Sequence, residues 1–392
     1  MDYYKQALNI KDEIITHRRY FHTNAETGLE MPKAVEYITE TLKGYGIKTD
    51  ICGGGVTAVI GSGSPVILLR ADMDALPMEE QSGETFASVT AAAHTCGHDM
   101  HAAMLLGAAK LLKENENSLK GTVKLVFQPG EEILEGCRDM IANGVLCDPK
   151  PDVALALHTG AGKILPGTFM YNSKGVMMSS ADNFVVTVQG KGGHAAYQNL
   201  SVDPVNIAVH IYMALQSLVC LEKPTDKNCT ISIGCFQAGD SGNIIPDKAV
   251  LKGTLRTDDE NCRQQMLKRI ADIVKCTAET FGGMAKVDFT SGAPVLKCDN
   301  AFTDSVIKYI DGLNIPDKKY ITDIKANASE DFAYIAKEVP SAYIYLSAGF
   351  GDAKGEYTAH NPKVRFNEES LPMGAAVYAQ CATMWLKENS GI

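Results

Sequence analysis

Cysteine and histidine residues recur at points of the chain where their spacing suits a metal site. Cys96 and His98 are separated only by Gly97, which permits a tight turn, and His158 ends a strongly apolar run. Thiolate and imidazole groups are ligands of zinc and related divalent metals. A single Cys-x-His sequence is a weak signal of a metal site. A lone histidine after an apolar run is a core residue about as often as it is a metal ligand. Their occurrence together predicts a metal centre.

Paired acidic residues suggest acid–base chemistry beside that centre. Glu131 and Glu132 are adjacent, and the pair has two interpretations. It is either a solvated turn or a division of roles, in which one carboxylate binds metal and the other is the general base for a bound water. Asp72 and Asp74 are open to a similar comparison. Asp72 either orients a ligand imidazole through a hydrogen bond or, like Asp74, caps a turn.

Other kinds of site match the chain less well. It contains no Gly-x-Ser-x-Gly sequence, which argues against a serine hydrolase. Cys96 with His98 or His158 could form a cysteine nucleophile pair, and this is a remote alternative. The glycines of residues 53–63 do not lead into a helix that starts with Lys-Ser/Thr, so a phosphate-binding loop is not indicated.

The apolar pattern places these reactive groups at the ends of strands. Val66–Arg70, Thr122–Gln128 and Val153–His158 are predicted strands, and each runs into acidic or imidazole residues. Helices alternate with them, including Ala102–Lys113, for which Asp99 is a plausible N-cap. This alternation predicts a doubly wound, mostly parallel α/β sheet. Sites in such sheets form beyond the carboxyl ends of the strands.

The pattern changes near residue 181. From there to residue 291 the predicted elements follow the order β-α-β-β-α-β, which is a common two-layer module. Features of the α/β type return afterwards. We therefore expect a metal-binding catalytic domain formed by residues 1–180 and 292–392. An inserted two-layer α+β domain is expected at residues 181–291.

Composition excludes several classes of function. The chain has 392 residues, with 45% hydrophobic and 21% charged, which is ordinary for a globular protein. It carries 37 Lys and Arg against 47 Asp and Glu, a formal net charge of −10. This balance argues against partners such as nucleic acid or an anionic membrane surface.

The predicted helix Pro204–Leu221 is the longest uncharged helical run. It contains Asn206, His210, Gln216 and Ser217, which make it too polar for a membrane span. Its spacing instead indicates an amphipathic helix whose apolar face holds Val205, Ala208, Val209, Tyr212 and Val219.

Cysteine usage and the start of the chain bear on location. Met1–Gln6 has no basic segment followed by an apolar one, so a signal peptide is not indicated. Eleven cysteines are scattered without paired spacing, and an odd number is typical of reduced thiols. We expect a cytoplasmic protein.

Ten short motifs follow one another along the chain. In chain order they are Arg70–Pro77, His94–His101, Phe127–Glu132, Leu155–His158, Gly190–His194, Asp203–Pro204, Gly242–Pro246, Gly253–Arg256, Ser329–Phe332 and His360–Pro362. Together these motifs resemble the aminoacylase/glutamate-carboxypeptidase family of metallohydrolases. Within it, the chain is similar to the branch that holds hippurate hydrolase, the indole-acetyl-amino-acid hydrolases and N-acetyldiaminopimelate deacetylase. The similarity extends from Arg18-Arg19-x-x-His22 to the last helix.

The resemblance implies a role for each matched residue of the catalytic domain. Glu131 would be the general base and Asp72 the aspartate that orients a ligand. His94 and His101 are expected to support the structure. The residues that would hold the metals, with Cys96 where other branches use a carboxylate, are Cys96, His98, Glu132, His158 and His360.

Residues of the inserted domain would act on the substrate. His194 is expected to reach the site of a partner subunit and stabilise the oxyanion, while Asn243 and Arg256 would contact the substrate carboxylate. The inserted domain would thus serve as a lid and as the contact of a homodimer.

The activity that the resemblance implies is a metal-dependent amidohydrolase of N-acyl amino acids. Two divalent ions per subunit are expected, manganese or zinc first, with cobalt or nickel as further candidates. The alternatives are a dipeptidase or carboxypeptidase of the same family, N-acetyldiaminopimelate deacetylase, and a metal-binding or scaffold protein without catalysis.

Overall fold

Ten helices and sixteen strands are present in residues 2–391, the part of the chain that the computed structural model describes. The helices are α1 Tyr3–Asn9, α2 Lys11–Thr23, α3 Pro32–Gly44, α4 His98–Glu114, α5 Gly136–Ala142, α6 Pro204–Glu222, α7 Glu260–Thr280, α8 Asn300–Asp311, α9 Ala333–Glu338 and α10 Ser370–Asn389. The strands are β1 Thr49–Cys52, β2 Gly55–Gly61, β3 Val66–Asp72, β4 Thr122–Gln128, β5 Val153–Gly160, β6 Thr168–Met170, β7 Val176–Met178, β8 Ala181–Gln189, β9 Gly193–His194, β10 Cys229–Ala238, β11 Ile244–Ile245, β12 Lys248–Thr257, β13 Met284–Ala293, β14 Leu296–Lys297, β15 Lys319–Ile321 and β16 Ser341–Ser347.

These elements fall into two units. The first contains the chain up to Met177, together with Lys297–Lys325 and the residues from Asp331 onward. The second contains Met178–Leu296 and Ala326–Glu330. Each unit encloses an apolar core of its own.

An eight-stranded sheet organises the first unit, in the order β1-β2-β4-β3-β5-β16-β6-β15. The central strands β4, β3, β5 and β16 are parallel, whereas β1, β2 and β6 pair antiparallel to their neighbours on the central side. Every residue of β3 and β4 is buried, so these strands are covered on both faces. The predicted α/β fold with a mostly parallel sheet is confirmed.

The carboxyl ends of three neighbouring strands meet at one edge of this sheet. β3 ends at Asp72, which is in register with Gln128 at the end of β4, three residues before Glu131. β5 carries His158 near its own end. Because β4, β3 and β5 are adjacent and parallel, the topology brings these polar residues to the same edge.

The second unit is built on a four-stranded antiparallel sheet in the order β10-β12-β8-β13. Helices α6 and α7 pack against its apolar side, where Val186 of β8, Ile211 of α6 and Met266 of α7 are fully buried. The short strands β9 and β11 form a separate pair.

Helix α6 buries a different face from the one that its sequence pattern indicates. Val209 is 46% exposed and Tyr212 is 37% exposed, so the prediction was wrong for these two residues and correct for Ala208. The helix is apolar on more than one side, and periodicity could not select between the sides. The residues that α6 buries are Pro204, Ile207, Ala208, Ile211, Leu215 and Leu218.

Within residues 2–391, α6 is also the one helix long and apolar enough, by length and composition, to cross a membrane. This is a weak indication, because core helices of soluble proteins pass the same test.

Candidate metal centre and active site

Gly97 shapes the turn that presents Cys96 and His98. Its φ of 87° lies in the left-handed region. A Cβ at this position would lie 2.4 Å from Thr159 Oγ1 and 2.9 Å from Phe366 Cε1. Glycine is therefore required both by the backbone conformation and by the close packing. Helix α4 begins immediately at His98.

The prediction that Asp99 caps this helix was wrong. Gly97 occupies the N-cap position, and Asp99 lies inside the first turn of α4. Its carboxylate is fully buried and accepts hydrogen bonds from Arg18 and His22 of α2. A long-range ion pair thus replaces the local cap, which local sequence cannot reveal.

The predicted metal ligands converge as two groups that share Cys96. The ligand atoms within each group lie within 4.8 Å of one another. The first group is Cys96, His98 and His158, with 3.6 Å between Cys96 Sγ and His158 Nε2. The second is Cys96, Glu132 and His360, with 3.6 Å between His360 Nε2 and Glu132 Oε2. All five residues are thereby brought together.

Hydrogen bonding directs the Nε2 lone pair of His158 towards Cys96. Its Nδ1 lies 2.9 Å from the Thr159 carbonyl oxygen, which can only accept, so Nδ1 carries the proton. Burial and the neighbouring His101 hold the pKa of His158 well below its usual range, so the ring is neutral. A neutral imidazole with an available lone pair is the form that binds metal.

His98 lies at the middle of the acidic residues. Its Nδ1 is 3.3 Å from Asp74 Oδ1. Its Nε2 is 3.8 Å from Asp72 Oδ2, 3.9 Å from Glu132 Oε1 and 4.0 Å from Glu131 Oε2. Although burial opposes a charge on the ring, Asp72 holds the pKa of His98 well above its usual value.

The two glutamates differ in their surroundings. Glu132 lies between His98 and His360, one carboxylate oxygen facing each ring, and burial raises its pKa. Glu131 approaches His98 and forms a further possible metal-binding group with His98 and Glu132, but it belongs to neither of the two groups that contain Cys96. Glu132 therefore has the surroundings of a ligand, and Glu131 lies beside the same centre.

Unsatisfied polar atoms mark this cluster as a cation site. Among residues 2–391, both ring nitrogens of His98, Asp74 Oδ1 and Glu132 Oε1 are buried and lack a hydrogen bond of good geometry, although His98 Nδ1 and Asp74 Oδ1 face each other at 3.3 Å. Buried polar groups without partners are costly, and a cation would satisfy them. Thiol, imidazole and carboxylate groups together suit divalent metals such as zinc and manganese. The residues present therefore fit divalent metal ions.

Asp72 contacts a histidine other than the predicted ligands. Its carboxylate is hydrogen-bonded to His101 Nδ1 and accepts from Arg70 at 2.7 Å. The Thr159 N–H donates to His101 Nε2 at 2.7 Å, so the proton of this ring is on Nδ1. The closest predicted ligand, His98, is 3.8 Å away and beyond hydrogen-bond distance.

Sequence reasoning missed the buried arginine that holds Asp72. Arg70 has no exposed surface and also donates to Gln128 Oε1 at 2.9 Å and to Asp331 Oδ1 at 3.0 Å. The available signal was a charged residue inside the apolar strand β3, because a buried charge requires a partner.

In the second unit, two of the predicted substrate residues are neighbours. His194 of β9 pairs in register with Ile244, and the Ala195 N–H donates to the Asn243 carbonyl at 3.2 Å. His194 Nδ1 accepts the Ala196 N–H at 3.1 Å, which places the proton on Nε2. His194 is exposed and thus presents an N–H donor.

Arg256 occupies a different part of the second unit. It lies on β12, in register with Thr230, and its guanidinium is 3.5 Å from Ser329 Oγ. No hydrogen bond among the described residues joins Arg256 to His194 or Asn243.

Comparison with known proteins identifies the family. The model of "Peptidase family M20/M25/M40" matches residues 68–384, which is most of the chain. The chain belongs to this family. It is therefore an M20 hydrolase of amide bonds, and the resemblance to the aminoacylase branch is confirmed by its relatives.

Two relatives of the M20 chain align over nearly its whole length. It is 34% identical to the N-acetyl-L-cysteine deacetylase of Bacillus subtilis (strain 168), over 97% of this chain and 90% of the relative. It is 32% identical to the IAA-amino acid hydrolase ILR1-like 5 of Arabidopsis thaliana, over 97% of this chain and 88% of the relative.

A solved structure supports the fold and the cofactor class. The YxeP protein of Bacillus subtilis, a dinuclear metal-binding peptidase from the M20 family, is 28% identical with a TM-score of 0.79. The match covers 97% of this chain and 99% of that one. Together with the cluster around Cys96, it supports divalent metal ions as the cofactor.

Proposed function

We propose that this M20 enzyme releases free amino acids from N-acyl amino acids. The observation that carries the proposal is the convergence of a thiol, three imidazoles and a carboxylate beside Glu131. Amide hydrolysis needs activation of the carbonyl and a base for the attacking water, and this set can supply both. The names of the deacetylase and the IAA-amino acid hydrolase support an acylated amino acid as the substrate class.

Glu131 is the residue that moves the proton. Cys96, His98, Glu132, His158 and His360 would hold two divalent ions, which when bound would supply polarisation of the amide carbonyl and a lowered pKa of a water molecule. Glu131 accepts a proton from the attacking water and transfers it to the leaving amine nitrogen, so that the carboxylate is regenerated. Asp72 acts as a positioning residue: its Oδ1 is hydrogen-bonded to His101, and its Oδ2, which accepts from Arg70, lies 3.8 Å from His98.

His194, Asn243 and Arg256 act on the substrate from the inserted domain, residues 181–291. The Nε2–H of His194 suits donation to the oxyanion. The guanidinium of Arg256 and the amide of Asn243 suit recognition of the substrate carboxylate.

The same domain serves as a lid and as the contact of a homodimer, in which His194 completes the site of the neighbouring subunit. Exposed apolar side chains on α6 support this pairing, since such patches commonly mark protein contacts. They are Val209, Tyr212 and Met213, the last 58% exposed.

The native metal is manganese or zinc, with cobalt or nickel as further candidates. The Cys96 thiol favours zinc, while carboxylate and imidazole ligands are compatible with manganese. The enzyme is cytoplasmic and acts on small molecules, with neither nucleic acid nor membrane as a partner. Its net charge of −10 supports this assignment.

A hydrolysis panel tests the substrate class. The purified protein is stripped with chelator, reloaded with Mn, Zn, Co or Ni, and assayed on N-acetyl, N-benzoyl and N-succinyl amino acids, N-acetyldiaminopimelate and unblocked dipeptides. We expect metal-dependent release of a free amino acid from at least one N-acyl compound. Turnover of dipeptides alone would replace the proposal with the peptidase alternative. Activity that survives chelation but not thiol alkylation would support a cysteine hydrolase.

A further inference from the structure

A buried charged cluster lies behind the candidate metal centre and takes no part in the chemistry above. Asp99 Oδ2 accepts hydrogen bonds from Arg18 Nε at 2.9 Å and from His22 Nδ1 at 2.9 Å. His22 Nε2 is 3.0 Å from Glu80 Oε1. Arg18, His22 and Asp99 are all at most 5% exposed. The cluster joins α2, the first turn of α4 and the loop between β3 and α4.

The ring of His22 is a cation. Both of its nitrogens face carboxylate oxygens, which accept, so both nitrogens donate. Burial opposes the charge, but the hydrogen bonds to Asp99 and Glu80 raise the pKa of His22 to about 9. Asp99 therefore receives two buried cations, Arg18 and His22, each of which has one further carboxylate partner: Glu368 lies 3.2 Å from Arg18, and Glu80 lies 3.0 Å from His22.

The cluster is connected to the turn that carries Cys96 and His98. Asp99 follows His98 directly in the first turn of α4. Arg18 also donates to the carbonyl of Phe366 at 3.3 Å, and the Phe366 ring packs against the Gly97 turn. Two sides of that turn are thus held by contacts of one arginine.

We propose that Arg18, His22 and Asp99 form a positioning cluster that fixes the start of α4 and so sets the metal affinity at Cys96 and His98. The inference rests on the proposed function, because it requires these two residues to be ligands. Residues that orient metal ligands typically change metal affinity by roughly 10- to 100-fold when they are removed.

Two substitutions of His22 separate positioning from folding. In His22→Asn, the amide nitrogen can replace Nδ1 and keep the bond to Asp99. In His22→Gln, the amide nitrogen can replace Nε2 and keep only the bond to Glu80. Both variants lose the charge and alter one buried side chain. The conservative Arg18→Lys keeps a cation beside Asp99 and provides a further test if His22→Gln does not fold.

Cobalt binding supplies a readout that does not depend on turnover. Each metal-free variant is titrated with Co²⁺ against a competing chelator, and the near-ultraviolet charge-transfer band of a Co²⁺–thiolate bond is recorded. The thermal unfolding temperature of each metal-free protein measures the stability of its fold. Arg19→Gln is the matched control, because Arg19 is 47% exposed and, within residues 2–391, has no hydrogen bond or ion pair with Asp99. It pairs with Glu368, which keeps Arg18 as a partner at 3.2 Å when Arg19 is replaced.

We expect His22→Gln to bind Co²⁺ roughly 10-fold or more weakly than wild type, while His22→Asn and Arg19→Gln stay close to wild type. Arg18→Lys should lose affinity in part. Equal affinities in His22→Gln and wild type would overturn the proposal. The proposal would also be overturned if both His22 variants lost the same Co²⁺ affinity and this loss matched the decrease in their metal-free unfolding temperatures. A wild-type spectrum without a thiolate band, or a band that survives Cys96→Ser, would instead refute the ligand assignment itself.

Discussion

At the scale of single residues, hydrogen-bond partners decide which atoms are available for chemistry. The Thr159 carbonyl leaves Nε2 of His158 facing Cys96, whereas the Thr159 N–H directs the proton of His101 to Asp72. Two adjacent polar groups of one residue thus give two neighbouring histidines different roles. The adjacent residues Glu131 and Glu132 likewise differ in their proposed roles because their contacts differ, although both are glutamates.

Substitution of the two glutamates should separate catalysis from metal binding. We expect Glu131→Gln to retain the metal but lose turnover, because the amide cannot accept the proton of water. A loss of roughly 100-fold or more in kcat is typical for a general base. Glu132→Gln, the matched control, should lose metal, since its carboxylate lies between His98 and His360. Metal content by elemental analysis and kcat are the measurements, and a reversed result would exchange the two roles.

The Cys96 thiol should be protected from alkylation by bound metal. Burial raises its pKa to about 12 in the absence of metal, so the thiol is not activated as a nucleophile. We expect iodoacetamide to modify Cys96 faster after chelation than in the metal-loaded enzyme, as followed by peptide mass spectrometry. The exposed Cys147 is the internal control, with labelling that does not depend on metal. Rapid modification of the loaded enzyme, with activity lost and metal retained, would contradict ligation.

At the scale of elements, the junction between a turn and helix α4 carries the centre. Gly97 adopts φ 87° against Thr159 and Phe366, and the helix starts at the next residue. A change in this junction moves Cys96 and His98 together. The geometry of two predicted ligands therefore depends on one backbone conformation.

Replacement of Gly97 by alanine should weaken metal binding as well as the fold. The left-handed conformation costs an alanine about 1–2 kcal/mol in the free energy of unfolding. The added Cβ also collides with Thr159 and Phe366, which displaces the turn. Gly63→Ala is the matched control, because Gly63 has φ 78° but nothing within 4 Å of its Cβ position. Denaturant unfolding and metal titration are the measurements, and equal metal affinity in both variants would contradict the displacement.

At the scale of the whole molecule, the chain consists of two units with separate cores, and the proposed residues are divided between them. The proposed metal ligands and Glu131 belong to the first unit, while His194, Asn243 and Arg256 belong to the second.

Mixing of inactive subunits should restore activity if His194 serves a partner. We expect His194→Ala and Glu131→Gln to be nearly inactive alone and to complement each other after subunit exchange. Random pairing into dimers predicts at most about a quarter of wild-type activity per site. Native mass spectrometry verifies the exchange of subunits. A mixture of Glu131→Gln with Glu132→Gln is the control. It should stay inactive, because neither chain supplies an intact pair of glutamates. An inactive His194/Glu131 mixture after confirmed exchange would show that His194 does not act across subunits.

The α/β fold class, the family and the set of candidate residues follow from residue order alone. Buried parallel strands such as β3 and β4 appear in the sequence as continuous apolar runs. The alternation of strands and helices predicts that their carboxyl ends lie at one edge of the sheet. Motifs such as His94–His101 are recognised directly in the order of residues. These properties are local, so they survive in a one-dimensional pattern.

Contacts between side chains, by contrast, are visible only in the folded chain. The sequence pattern predicted Asp99 as a cap and Val209 as buried, yet Asp99 pairs with Arg18 of α2 and Val209 is exposed. The partner of Asp72, the proton position on His194 and the exposed side of α6 likewise depend on residues distant in sequence or on backbone conformation. Periodicity records how apolar each helix face is, but burial and ion pairing are set by the neighbour that packs against it.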